Sequence, residues 1–191
     1  VHRAKIYTKS NSLVCVGHGP IASSSIPQQS TFQEFLYSST PPSAHWCFHS
    51  IAIPNDNGLQ LAKAINENST MVEVSAVTDG SFKDYHGTAA WSITCHRSKQ
   101  QLSGQIVVPG DATDHSSYRS ELAGIYTALL VTHKLCQFFR IESGGILLGC
   151  DSTSALATAF ADYDHRYSIN TPSFDFLGAI RQLRLSSQLE W

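Results

Sequence analysis

The sequence has no C-x-x-C pair, no G-x-S-x-G elbow and no Walker or dinucleotide-type glycine pattern, and each absence removes a class of chemistry. Unpaired thiols argue against a zinc ribbon or a dithiol redox centre, the missing elbow leaves a serine hydrolase unsupported, and without phosphate-cradling glycines no nucleotide cofactor is expected. Two histidines at a zinc-like spacing, in His45-Trp46-Cys47-Phe48-His49, have no cysteine pair to complete a site, and the segment reads as a buried aromatic strand. The cysteines at 15, 47, 95, 136 and 150 are odd in number, which points to a reduced, intracellular setting. No apolar run approaches the roughly 18 residues of a spanning helix. Val1 begins without a charged-then-apolar leader, so a soluble chain with no membrane partner is expected. A basic excess is missing too: 13 Lys and Arg stand against 15 Asp and Glu, and the bulk charge does not announce a nucleic-acid surface.

What is present suffices for one domain of ordinary size plus an arm, since 42% of 191 residues are hydrophobic. From Val1 to about Thr40 the chain is rich in Ser, Gln and Pro and shows no period, the mark of an irregular arm. An apolar stretch from His45 to Ile53, a turn cluster Pro54-Asn55-Asp56-Asn57-Gly58 and a short helical pattern over Leu59, Leu61, Ala62 and Ile65 form a connector. The expected division is 1–70, arm and connector, and 71–191, the compact domain.

That domain opens on a strand from Met71 to Thr78, in which Val72, Val74 and Ala76 alternate with the other face. Runs from Gly87 to Cys95 and from Gln101 to Val108 complete an antiparallel meander. The period then turns helical: Tyr118, Leu122, Ile125, Tyr126, Leu129 and Leu130 share a stripe from Ser117, a plausible N-cap, to about Phe138. Ile146-Leu147-Leu148-Gly149-Cys150 is the unbroken apolar run of a strand covered on both faces. Helical spacing resumes from Ser152 to Phe160 and from Phe174 to Leu185, and Ser187–Trp191 reads as a last strand. The order βββ, α, β, α, α, β defines an α/β fold: a mixed five-stranded sheet, three strands antiparallel and then parallel strands, with helices on both faces.

Three acids stand at the joints of this pattern. Asp79 ends the first strand in Asp79-Gly80, a common turn dipeptide. Glu121 lies in the first turns of the long helix, in line with Ile125 and Ala128, so its carboxylate points to the margin of the apolar interior and needs a partner. Asp151 follows the buried strand and precedes a helix, which suits an N-cap, but it also sits at the carboxyl end of a parallel strand, where open α/β sheets bind ligands. Like charges drawn that close require positive charge between them. With no Lys or Arg beside Asp79 or Asp151, a hard divalent metal, Mg2+ or Mn2+, is the natural neutraliser.

Thr78-Asp79-Gly80-Ser81, Ser117-Tyr118-Arg119-Ser120-Glu121-Leu122 and Gly149-Cys150-Asp151-Ser152, in that strand order, resemble the ribonuclease H family, in the form attached to retroelement reverse transcriptases. The likeness spans about Val72 to Trp191. It implies a ribonuclease H-like fold and hydrolysis of the RNA strand of RNA–DNA hybrids by paired Mg2+ ions, with Asp79, Glu121 and Asp151 as catalytic and metal-binding residues. Asp79 would bridge both ions. Gly80, Ser81, Ser116, Ser117, Tyr118 and Ser152 would border the substrate, although many relatives carry amides where Ser116, Ser117 and Tyr118 stand. An upstream reverse transcriptase domain is the partner so implied. The family's fourth carboxylate and a preceding His lie beyond the last strand, and the chain stops at Trp191 before either, so weak metal binding and poor cleavage are expected of it. Asp162, Asp164 and Asp175 are poor substitutes by position. Two rivals stand beside the enzyme: a catalytically inactive module that keeps the fold for nucleic-acid or partner binding, and an integrase-like enzyme, which would need an acid on a helix well after Asp151.

Overall fold

The computed structural model describes residues 6–7, 13–14, 31–67, 73–162, 167–187 and 189–191. Two short strands, β1 (Ile6–Tyr7) and β2 (Leu13–Val14), pair antiparallel. Inside the stretch read as an irregular arm, Thr31 starts a helix by a reciprocal cap. Its hydroxyl accepts from Glu34 N–H while the Glu34 carboxylate accepts from Thr31 N–H, which sets α1 (Phe32–Ser39). Pro41 and Pro42 end it. Pro42–Phe48 then winds as a 3-10 helix instead of the expected aromatic strand. The His45 ring is engaged there: Nε2 bonds Thr40 O at 2.9 Å, and Tyr37 meets it edge-on with centroids 5.0 Å apart. After β3 (Ser50–Ala52), the expected turn brings Asn57 and Gly58 to φ 58° and 85°, and the Asp56 carboxylate accepts from Gly58 and Gln60 N–H to start α2 (Leu59–Glu67).

The meander is β4 (Val74–Lys83), β5 (His86–Cys95) and β6 (Gln101–Val107). Met71 and Val72, expected to open its first strand, lie outside the described residues. Asp79-Gly80 is not a turn. The strand runs on through it, Asp79 opposite Ala90 and Gly80 opposite Ala89, and the reversal falls at Asp84 and Tyr85, both at positive φ. The long helix α3 (Ser117–Phe139) is capped by Ser116, one residue before the expected Ser117. Two strand segments follow, β7 (Gly144–Gly145) and β8 (Leu147–Cys150), then α4 (Thr153–Ala159), α5 (Phe174–Ser186) and β9 (Leu189–Glu190).

The five-stranded sheet has the order β3-β6-β5-β4-β8, antiparallel throughout except for the parallel β4–β8 pair. This is the α/β class with a mixed sheet expected from the sequence. Its first strand comes from the connector stretch, however, and the expected last strand, β9, pairs parallel with β7. One sheet face is apolar and carries α3: Val74, Ala76, Trp91, Ile93, Leu102 and Ile106 are buried on it. The opposite face presents Ser75, Ser92, Thr94, Ser103 and Gln105 with Val77, Val107 and Leu147 exposed. Leu147 is 55% exposed, so β8 is not covered on both faces as its apolar run suggested. Phe32, Leu36, Phe48, Leu61 and Ile65 lie on the connector side of residue 70, yet they are fully buried in the same core as Val74 and Ile93. Helix α3 is long and apolar enough to cross a membrane by length and composition, and two-thirds of that window is buried inside the fold as a core helix.

Candidate active site

Register brings the acids to one place. Thr78 on β4 pairs with Cys150 on β8, so Asp79 and Asp151 are each the next residue beyond the same rung. Helix α3 crosses β4 at Gly80 with no room to spare: a Cβ there would stand 2.4 Å from Glu121 N and 2.8 Å from its carboxyl carbon. Close approach lowers Glu121 onto the strand, where the side chain is buried at 5% exposure.

Three contacts hold the start of α3 in position. Ser116 Oγ accepts from Arg119 N–H at 3.1 Å. His115 Nδ1 accepts from Gly87 N–H at 2.8 Å, which leaves Nε2–H to donate to Gly110 O at 3.1 Å. Arg119, itself buried, forms a two-bond fork with Asp175 on α5 at 2.8 and 2.7 Å, donates to Pro109 O and stacks over Phe176 at 4.5 Å. Its charge is spent on α5. Among the described residues no cation acts on Glu121.

The partner of Glu121 is a thiol. Cys150 Sγ–H donates to Glu121 Oε2 at 3.2 Å, and one donor atom from each of Glu121, Cys150 and Asp151 lies within 4.8 Å of the others. Burial raises the Glu121 carboxyl above its usual range; hydrogen bonds from Cys150 and the Gly80 amide pull it back in part, while the charges of Asp151 and Asp79 push it further up. Burial likewise pushes the Cys150 thiol up. Glu121, Cys150 and Asp151 thus form a group of donors close enough to share one cation.

Glu121 and Asp151 therefore come together, as expected, while Asp79 stays just outside. Its charge is felt by Glu121, but its carboxylate is on the open face of β4 and does not join the tight trio. Gly80 is the contact point with α3, and Ser81 is exposed beside it. The hydroxyls of Ser116 and Ser152 are both used as N-caps, Ser152 accepting from Ala155 N–H at 3.3 Å, so the cap of α4 is Ser152 and not Asp151. Freed from capping, the exposed Asp151 keeps its carboxylate for other partners. Ser117 is exposed and Tyr118 half-buried against the core below α3. Of the substitute acids, Asp175 is engaged by Arg119, Asp162 is exposed, and Asp164 lies outside the described residues. Sequence reasoning missed Cys150, which stands inside an apolar run like any core cysteine, and Thr78, buried across the β4–β8 rung from it with its hydroxyl acting on the thiol.

The donor set fits a divalent cation. Glu121 and Asp151 offer the oxygens that Mg2+ or Mn2+ takes, and among the described residues no cation is among the groups acting on Glu121. Cys150 is the discordant donor, since a thiolate suits softer ions.

Solved structures match part of the chain, two ribonuclease H proteins among them. Ribonuclease H1 from the halophilic archaeon Halobacterium salinarum NRC-1 is 16% identical, with 61% of this chain and 80% of that one covered and a TM-score of 0.42. The N-terminal ribonuclease H domain of a Mycobacterium tuberculosis protein, solved as a fusion with maltose-binding protein, is 9% identical, with 63% and 81% covered and a TM-score of 0.38. No protein-family model and no curated protein matches the chain.

Proposed function

We propose that the chain is a ribonuclease H type endonuclease that hydrolyses the RNA strand of RNA–DNA hybrids with the help of a divalent metal. One observation carries this reading: Glu121 and Asp151, from separated segments, meet just beyond the last rung of the β4–β8 pair, with the charge of Asp79 acting on Glu121 and no cation among the groups that do. The motif order around these residues supports the same reading, and with it a place in a retroelement polyprotein beside a reverse transcriptase. In that reading 71–191 carry the nuclease and 1–70 form the connector.

Glu121 and Asp151 would hold Mg2+ or Mn2+, and Asp79, whose charge acts on Glu121, would add to the negative charge that favours the metal. The bound metal supplies a nucleophilic water and counter-charge for the phosphate. Gly80 keeps Glu121 against the strand, and the Arg119–Asp175 fork with the Ser116 cap holds the helix start that carries it. Ser81, Ser117 and Tyr118 border the site and would meet the RNA strand, where the 2′-hydroxyl distinguishes RNA from DNA. Ser116 and Ser152 would contribute through the backbone they cap.

The test is cleavage of an end-labelled hybrid by the purified chain with and without Mg2+. Slow, metal-dependent cutting of the RNA strand is expected, lost in Asp79→Asn, Glu121→Gln and Asp151→Asn while circular dichroism shows an intact fold. Near-normal turnover in any of the three removes that residue from the site. The position of Asp79 outside the tight trio favours a second reading, a catalytically inactive hybrid-binding module. Hybrid binding that is tight but yields no product at any Mg2+ concentration would establish it.

A further inference from the structure

We propose that His115 is a pH-sensitive clasp on the start of α3, closed while its imidazole is neutral and opened when the ring takes up a second proton. The backbone uses both ring nitrogens, in opposite senses: Nδ1 accepts from Gly87 N–H at 2.8 Å, and Nε2–H donates to Gly110 O at 3.1 Å. Only the neutral Nε2–H tautomer can do both. An imidazolium carries a proton on each nitrogen, so Nδ1–H would face Gly87 N–H, donor against donor, while the bond to Gly110 persists. One proton therefore parts the ring from β5 and leaves it on the turn before the helix.

Packing decides which side yields. Gly87 is boxed in: a Cβ there would stand 2.6 Å from Ser120 Oγ and 3.1 Å from Val108 Cβ, and its carbonyl accepts from Val108 N–H at 2.9 Å. The turn is looser. Residues 111–114 are exposed, Gly110 opens the segment at φ 134°, and Asp114 N–H donates to Asp111 O at 2.8 Å within it. His115 joins this turn directly to Ser116, the N-cap of α3. Opening the clasp thus displaces residues 110–115 at the entry to the helix.

The charges around the ring do not replace the lost bond. Asp111 and Asp114 lie on the turn, His86 on β5, Lys83 and Asp84 across the hairpin, and Arg119 on α3. Among the described residues the ion pairs join Arg97 to Glu73 and Arg119 to Asp175, so no described carboxylate is at ion-pair distance from His115. Arg119, next to Gly110, is already matched by Asp175. The imidazolium gains no partner for the amide it gives up, and the clasp opens toward acid.

The test uses the full chain and makes no use of hybrid cleavage, so its failure and failure of the nuclease reading are separate results. Ring nitrogen resonances report the protonation state of His115. Hydrogen exchange of the Gly87 amide in the same samples, corrected for the intrinsic effect of pH, reports the clasp. With the ring neutral, the Nε2–H tautomer and a protected Gly87 amide are expected. Conversion to imidazolium should lower that protection about tenfold, the loss of one hydrogen bond, while the amide of Ile93, further along β5, keeps its own. His115→Ala should show the low Gly87 value at every pH, and the unmodified chain decides alone should that variant fail to fold. An Nδ1–H tautomer, Gly87 protection that survives protonation of the ring or its removal, or a loss shared equally by Ile93 would each overturn the proposal.

Discussion

Arg119 and Asp175, 56 residues apart in sequence, form a two-bond fork of 2.8 and 2.7 Å that ties the start of α3 to the start of α5. The guanidinium side chain is 9% exposed and the carboxylate 34%, so the cation is the member that cannot be left alone. Asp175→Ala is expected to cost about 2–4 kcal/mol, the lower part of the range for breaking a buried pair because Asp175 is partly hydrated. Arg119→Lys should cost nearly as much, since an ammonium cannot reproduce the fork. Urea denaturation measures both. A double replacement, Arg119→Met with Asp175→Leu, should be less destabilised than Asp175→Ala; if it is worse, the fork is not the main term.

Glu121 gives a pH dependence of definite sign. Its carboxyl is raised in the folded protein, chiefly by burial, so the native state holds this proton more tightly than the unfolded chain. That contribution is fully present below the ordinary value of 4.5 and is lost as pH rises through the raised native value. In chelator at neutral pH, Glu121→Gln should therefore melt higher than wild type, because the variant escapes the cost of ionising a buried carboxyl while keeping an oxygen that accepts from Cys150 and Gly80. At pH below 4.5 the two melting curves should converge. A variant that melts lower than wild type at neutral pH contradicts the assigned direction.

Gly80→Ala tests the close approach of α3 to β4. The new methyl would meet the backbone of Glu121, which cannot swing aside as a side-chain tip can. A loss of about 1–3 kcal/mol or more follows from overpacking. Thermal melts should show it, together with weaker stabilisation by added Mg2+ because Glu121 is displaced. Unchanged stability would mean that helix and strand are further apart than described.

Removal of residues 1–67 tests whether the connector elements belong to the domain. Phe32, Leu36, Phe48, Leu61 and Ile65 are fully buried, and burial of such side chains is worth about 1.5–3 kcal/mol each. Their sum is comparable with the whole stability of a domain, about 5–15 kcal/mol. The shortened chain is expected to be insoluble or to lack a cooperative melt; a sharp transition from residues 68–191 alone would show that the nuclease-like part stands without them.

Local pattern determined much of this protein before any coordinates. Alternation placed β5 and β6 to within a residue, the helical stripe placed α3, and the position of Glu121 on that stripe already required a partner for its carboxylate. These are properties of neighbours in the chain, and periods of two and 3.6 residues read them directly. Only tertiary structure decided who the partners are. That Cys150 meets Glu121, that Arg119 is drawn off to Asp175, that Asp79 faces the open side of the sheet, and that β4 continues through Asp79-Gly80 depend on strand register and on how closely α3 can approach a glycine. The connector shows the same division: Thr31-x-x-Glu34 and the spacing of Phe32, Phe35 and Leu36 mark a short helix, but that these residues belong to the core follows only from α1 docking on a sheet built from residues far along the chain. Contacts between distant segments are set by the shape of the assembled core, and no window on the sequence contains both halves of them.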